Sequence, residues 1–224
     1  MAGTVSVEDR GGVRHVTIDR PPVNALTTVE YDALGAAFAP DPAVRVVCLR
    51  STGPVFSAGQ DLRELGGLVS PEELSAYLVR AAEGVAAVAA CPVPVVSVLD
   101  GAAVGAGALV AASADIVLAT PAGSIALPEV RHGVRLGRAL MTGALPEPLL
   151  AYAFATGAPL EAPRLHGAGL VAELLAPEDL EARVAAVLDD LLALPDAGLT
   201  WLRRPELRAT RAREYLEEAR HATD

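Results

Sequence analysis

The sequence predicts an α/β fold with a helical C-terminal region. Two observations carry that prediction. Short apolar, β-branched runs alternate with stretches of helical spacing from residue 5 to about 130, separated by glycine- and proline-rich turns. Beyond about residue 137 the helical pattern dominates. The 224 residues suit one domain, or one domain with a small appendage, and no convincing repeat recurs.

The elements follow in order. "VSVEDRGGVRHVTID" (5–19) holds two β-rich runs around Gly11 and Gly12, the pattern of a hairpin. "RPPVNAL" turns, and Thr27 or Thr28 caps a helix over 29–39, ended by Pro40 and Pro42. "VRVVCLRS" (44–51) is a buried strand, and "VFSAGQDLREL" (55–65) joins an apolar run to a charged helical pattern. That join is either an ordinary strand-to-helix turn or one that aims backbone amides at a ligand.

Ser70, Pro71 and Glu73 form a capping box with proline at the first helical position, opening a long helix to Cys91. "PVPVVSVLDG" is the next strand, "GAAVGAGALVAAS" a glycine-rich turn into an Ala-rich helix, and "DIVLATP" and "GSIALPEV" are further strands. Helices are predicted over about 137–155, 161–168, 177–194 and 205–221.

Composition excludes several functions. Arginine supplies all 18 basic residues against 28 acidic ones, a formal charge of −10 that disfavours nucleic acid. "RRPELRATRAR" (203–213) is the one basic patch, a solvated helix face or a local phosphate-facing cluster. Cys48 and Cys91 read as small core hydrophobes, and the four scattered histidines form no metal-ligand cluster. Pro92, Pro94 and Asp100 break the most apolar stretch, so no membrane span is expected. "MAGTVSVEDRGG" is polar where a secretory signal needs an apolar run, so the expected location is cytoplasmic.

Candidate chemistry is sparse. In "GAAVGAG" (101–107) a dinucleotide-binding reading places Val110 where the third glycine is required. The glycines instead allow either tight helix packing or delivery of an amide to an oxyanion. Glu129 is either an exposed strand-end acid or a carboxylate whose apolar setting lets it shuttle protons near neutrality. Asp61 reads as a helix cap, Asp115 as a turn residue, and Ser57 lacks a placed histidine. His132 reads as a surface or structural residue.

Five segments in order change the weight of these readings: "HVTIDRPPVNAL" (15–26), "GPVFSAGQDLREL" (53–65), "CPVPVVSVLDGAAVGAGALVAASADIVLAT" (91–120), "IALPEV" (125–130) and "ATGAPLEAPRLHGAGLVAELLAPEDL" (155–180). Together they resemble the enoyl-CoA hydratase/isomerase (crotonase) superfamily across about residues 5–195. The resemblance implies a crotonase-like spiral of ββα units over residues 1–195, which binds acyl-CoA. The short helical tail, 196–224, would serve assembly into homo-trimers or hexamers.

The implied substrate is an acyl-CoA thioester. Coenzyme A is part of it, and no separate cofactor is implied. Two backbone amides would polarise the thioester carbonyl, assigned by the likeness to Ala58 and to Ala106 between Gly105 and Gly107. Asn24, Ala25, Leu26, Gln60, Asp61 and Leu62 match segments lining the CoA channel. Family hydratases use two glutamates. The first falls here on Leu109, and the second, after Pro128, is Glu129. Loss of the first favours double-bond isomerisation with one glutamate over hydration; the alternative is a non-catalytic acyl-CoA-binding or assembly protein. The segment "RHGVRLGRALMTG" after Glu129 and the short tail also depart from the family pattern.

Overall fold

A computed structural model describes residues 5–203 and 205–223. The strands β1 (Val5–Arg10) and β2 (Val13–Ile18) form the expected antiparallel hairpin, with Gly11 and Gly12 at positive φ in the turn. Three successive pairs follow: β3 (Val46–Ser51) with β4 (Val55–Ser57), β5 (Val95–Leu99) with β6 (Ala102–Val104), and β7 (Ile116–Ala119) with β8 (Ser124–Ala126). In each pair the first strand joins one sheet and the second joins another. The six-stranded sheet runs β1-β2-β3-β5-β7-β10 and the four-stranded sheet β4-β6-β8-β9, where β9 is Leu160–Glu161 and β10 is Glu173–Leu174. Neighbouring pairs add in parallel register, so each ββα unit advances both sheets together, the predicted spiral.

Helices fill the crossovers. α1 (Thr28–Ala37) starts at Thr27, whose side chain accepts the Val29 N–H while Glu30 completes a capping box. α2 (Leu62–Leu65) is a single turn, and α3 (Pro71–Ala90) carries the predicted Ser70–Glu73 box. α4 (Ala106–Ala112) is wholly buried. Strand alternation explains two cores. Val47, Leu49, Val95 and Leu99 face α1, α3 and α4, while Val46, Cys48, Val96 and Val98 face α8 (Leu180–Leu192). Both cysteines are free and buried.

Several expectations need correction. The predicted helix over 137–155 is two helices, α5 (Arg138–Met141) and α6 (Glu147–Thr156), separated by Gly143 at φ 81° and by Pro146. β6 occupies the start of what reads as a glycine-rich turn. α7 (Ala162–Gly167) fits its prediction, but α9 (Asp196–Arg203), ahead of α10 (Pro205–Arg220), was not expected. The tail is no appendage: Ala212, Tyr215, Ala219 and Ala222 belong to the main core.

Two arginines of the basic patch are not solvated, while Arg213 at its end is exposed. Arg203 is fully buried, donating to the carbonyls of Val88, Ala89 and Cys91 and pairing with Asp115. Arg208 pairs with the other Asp115 oxygen, and Arg204 lies outside the described residues. Asp115, read as a turn residue, is therefore the internal anchor of the tail.

Candidate active site

Residues 20–26 and 57–61 are stitched into one unit. Asn24, at φ 52°, accepts from the Arg20 N–H through its side-chain oxygen and donates to the carbonyls of Thr52 and Val55, each at 2.8 Å. Its amide thus shapes the loop. Ser57 Oγ donates to the Asn24 carbonyl at 2.7 Å and accepts the Gly59 N–H, which gives this serine a structural role. Leu26 donates to Gly59 O at 2.7 Å and accepts from the Asp61 N–H at 2.9 Å. Ala25 O accepts from Arg20. Asp61 caps α2 through the Arg63 and Glu64 N–H groups and pairs with Arg20 at 2.8 Å; the Arg63 N–H, then Arg20, hold its pKa below the usual range. Leu62 is 77% exposed at the rim.

This stitching corrects the assignment of the first amide. The Ala58 N–H donates to Val23 O at 2.9 Å and is already used. Gly59 binds Ser57 and Asp61 binds Leu26, which leaves the Gln60 N–H without an internal acceptor among the described residues. Gly59 reaches φ +80° and lies against the second turn: a Cβ there would fall 2.5 Å from Val104 O and 3.3 Å from the Ala106 nitrogen. Only glycine permits that approach.

The second turn is built around Gly105, at φ 55° and ψ −125°, whose N–H donates to Ala126 O at 2.9 Å. Gly107 lies on β4, where a Cβ would meet the Ser57 side chain at 2.6 Å. Ala106, between them, opens α4 with its side chain buried in the core, so alanine is accommodated at this place. Its N–H also has no internal acceptor among the described residues. Sequence-distant loops thus bring Gln60 and Ala106 together.

Glu129 sits in a 3-10 turn (Glu129–His132) that follows Pro128, three residues past the end of β8 rather than on the strand. Its Oε1 lies over Gly105, 3.3 Å from where a Cβ would stand. Both carboxylate oxygens are covered and have no hydrogen-bond partner among the described residues. Burial pushes the carboxyl up to about 7, opposed only by its own backbone N–H. Leu109 is buried against Gly137, so an apolar contact fills the position that the resemblance gives to the first family glutamate. His132 is exposed, as expected. No group of three or more His, Cys, Asp or Glu among the described residues could hold a metal.

Sequence reasoning missed the phenols. Tyr31, Tyr77 and Tyr215 are buried in the same cluster as Ala106, Leu109 and Leu127. The signal was their rarity, since only 4% of the chain is aromatic. Leu127 and Val130 flank Glu129, the former buried and the latter half exposed.

Residues 8–222 match the profile of the family described as enoyl-CoA hydratase/isomerase. A "(7aS)-7a-methyl-1,5-dioxo-2,3,5,6,7,7a-hexahydro-1H-indene-carboxyl-CoA hydrolase" of Mycobacterium tuberculosis is 31% identical over 190 residues, covering 81% of this chain and 75% of the relative. A probable enoyl-CoA hydratase of Rhizobium meliloti is 32% identical over 208 residues, 87% of this chain and 78% of the relative. Among solved structures, an enoyl-CoA hydratase/carnithine racemase from Magnetospirillum magneticum superposes with a TM-score of 0.85 at 25% identity, over 92% of this chain and 81% of that one. The two-sheet spiral, the paired amide turns and these likenesses agree: the chain belongs to the enoyl-CoA hydratase/isomerase family and is an acyl-CoA-processing enzyme of the crotonase superfamily.

Proposed function

We propose that this enzyme moves a double bond in a 3-enoyl-CoA thioester, using Glu129 alone as the proton carrier. The observation that carries the reading is one buried, unpartnered carboxylate over Gly105 with Leu109 where hydration requires a second. Hydration needs a water held and deprotonated between two carboxylates, and leucine does neither. Isomerisation needs one.

The thioester oxygen accepts from the Gln60 and Ala106 N–H groups. Ionised Glu129 takes the C2 proton, and the electron pair left by the C2–H bond delocalises onto the thioester oxygen as a dienolate held by the two amides. Glu129 then returns the proton to C4 while the double bond shifts from C3–C4 to C2–C3. Atoms and charge balance without a further reactant. Asn24, Ala25, Leu26, Gln60, Asp61 and Leu62 border the CoA path, with Pro128 and Gly105 framing Glu129. Likeness to a hydrolase of a dioxo-bicyclic carboxyl-CoA widens the acyl class beyond straight fatty chains.

Matched 2-enoyl-CoA and 3-enoyl-CoA panels followed by NMR and mass spectrometry test this. Migration without hydration, lost in Glu129→Gln, is the expected result. Robust hydration overturns it, and tight thioester binding with no conversion points instead to a non-catalytic binder. For assembly we propose a homo-trimer or hexamer that uses the tail, because Trp201 on α9 is 80% exposed. A single-chain mass by light scattering would end that reading.

A further inference from the structure

A hollow of about 170 Å³ opens where the tail crosses the end of α4, and no residue placed at the acyl-CoA site lines it. Its walls include residues 113–115 after α4, Gly143 between α5 and α6, Gly169 after α7, and Arg208 and Arg211 on α10. The space is real: a Cβ on Gly169 would meet nothing within 4 Å. An apolar cavity of about 150 Å³ holds a benzene molecule, so this one admits a ligand of that size. Its lining, by contrast, is charged.

The charges do not cancel. Asp115 is the one acid among the described residues of these walls, and its two oxygens already go to Arg203 and Arg208. Arg208 also donates to the carbonyls of Ser113 at 2.6 Å and Ala114 at 3.3 Å. Arg211, half buried and three residues further along the same helix face, has neither a hydrogen bond nor an ion pair among the described residues. In a chain of formal charge −10, this arginine meets no acid. A Cβ on Gly143 would stand 2.5 Å from its Nη2, which places the guanidinium over the Gly143 backbone, and the Gly143 N–H also has no internal acceptor among the described residues. Burial holds the Arg208 pKa below the usual arginine value; Asp115 opposes this, and the like charges of Arg203 and Arg211 add to it. Three guanidinium groups thus share one carboxylate beside an open space.

We propose that this hollow binds a small oxyanion, a phosphate or carboxylate group, held by Arg211 and by the charge of Arg208. A planar guanidinium presents paired donors that match either group in bidentate fashion, and Arg211 keeps all of its donors for that use. The bound anion supplies the negative charge that Asp115 alone does not. It ties α10 to the turn after α5, much as Asp115 ties the tail to β7. The site is independent of the reaction proposed for Glu129.

Inorganic phosphate and malonate are the probes, each titrated into the whole chain by calorimetry against chloride of matched ionic strength. Saturable binding of one anion per chain is expected, with a thermal midpoint that rises with its concentration. Arg211→Gln should weaken that binding by about tenfold or more, the usual effect of losing hydrogen bonds to a charged group. Its melt in chloride should stay that of the wild type, since Arg211 has no partner to lose. Arg138→Gln removes an exposed arginine paired with Glu147 and should bind the anion as the wild type does. Binding of phosphate alone or of malonate alone identifies which group the hollow takes. No saturable binding of either, equal affinity in Arg211→Gln, or displacement of the anion by coenzyme A overturns the proposal. A changed solution mass of Arg211→Gln without anion binding in the wild type overturns it too, giving the arginine to a contact between copies.

Discussion

In the proposed reaction Glu129 concentrates the chemistry in one group whose protonation follows from its surroundings. Its carboxyl is held at about 7 by burial, and the base must be ionised to take a C2 proton. The expected kcat/KM for isomerisation therefore rises with pH through about 7 and then levels, an acid limb absent from Glu129→Gln because its turnover is lost. A pH–rate profile with the limb near the ordinary carboxylate range would contradict the buried geometry. Around this residue, Gly105 and Gly107 were readable as turn positions, and the structure gives each a separate reason. Gly105 needs a positive φ beneath the carboxylate, whereas Gly107 has Ser57 where a Cβ would stand. Ala106 needs neither, so its departure from glycine leaves the amide in place.

Between elements, the decisive joint is the one that holds the last two helices to the core. Asp115 opens β7 and accepts from Arg203 and Arg208 while also receiving the Val95 N–H at 2.8 Å. Replacing it leaves two enclosed guanidinium groups with one carboxylate fewer. Asp115→Asn should cost about 3–5 kcal/mol, read as a lowered denaturation midpoint in urea. A change below about 1 kcal/mol would show that the pairs behave as exposed ones. The tail also reaches the loop beyond Glu129: Glu218 on α10 accepts the Gly137 and Ala139 N–H groups at 2.9 and 2.8 Å and so caps α5. Loosening α10 should therefore lower turnover as well as stability.

Across the molecule, Glu129 leaves a mark on stability that runs opposite to its effect on rate. The unfolded carboxyl has an ordinary value of 4.5 and the folded one about 7, so between them the folded state holds the extra proton. Stability is greatest below the lower value, falls as pH rises toward the higher one, and is flat above it. This group's share of that fall is on the order of 3 kcal/mol. Urea denaturation of wild type and Glu129→Gln across this interval checks it: the neutral variant should lack this part of the slope and be the more stable of the two above neutrality.

Capping at Thr27 and Ser70, the Gly11 and Gly12 hairpin, strand alternation and the glycines of both turns were legible because each depends on residues a few positions away. The family likeness singles out Glu129 and Leu109 by their spacing from the turns, and the proposed reaction builds on the burial of both. Which amide remains free was not legible. Ala58 and Gln60 are equivalent donors in sequence, and the choice depends on Val23 and Leu26 arriving from another loop to take neighbouring hydrogen bonds. The burial of Arg203 and the anchoring role of Asp115 have the same origin. Local conformation follows from adjacent side chains, but the partner of a buried polar group is set by which distant segments the two sheets and the tail bring together.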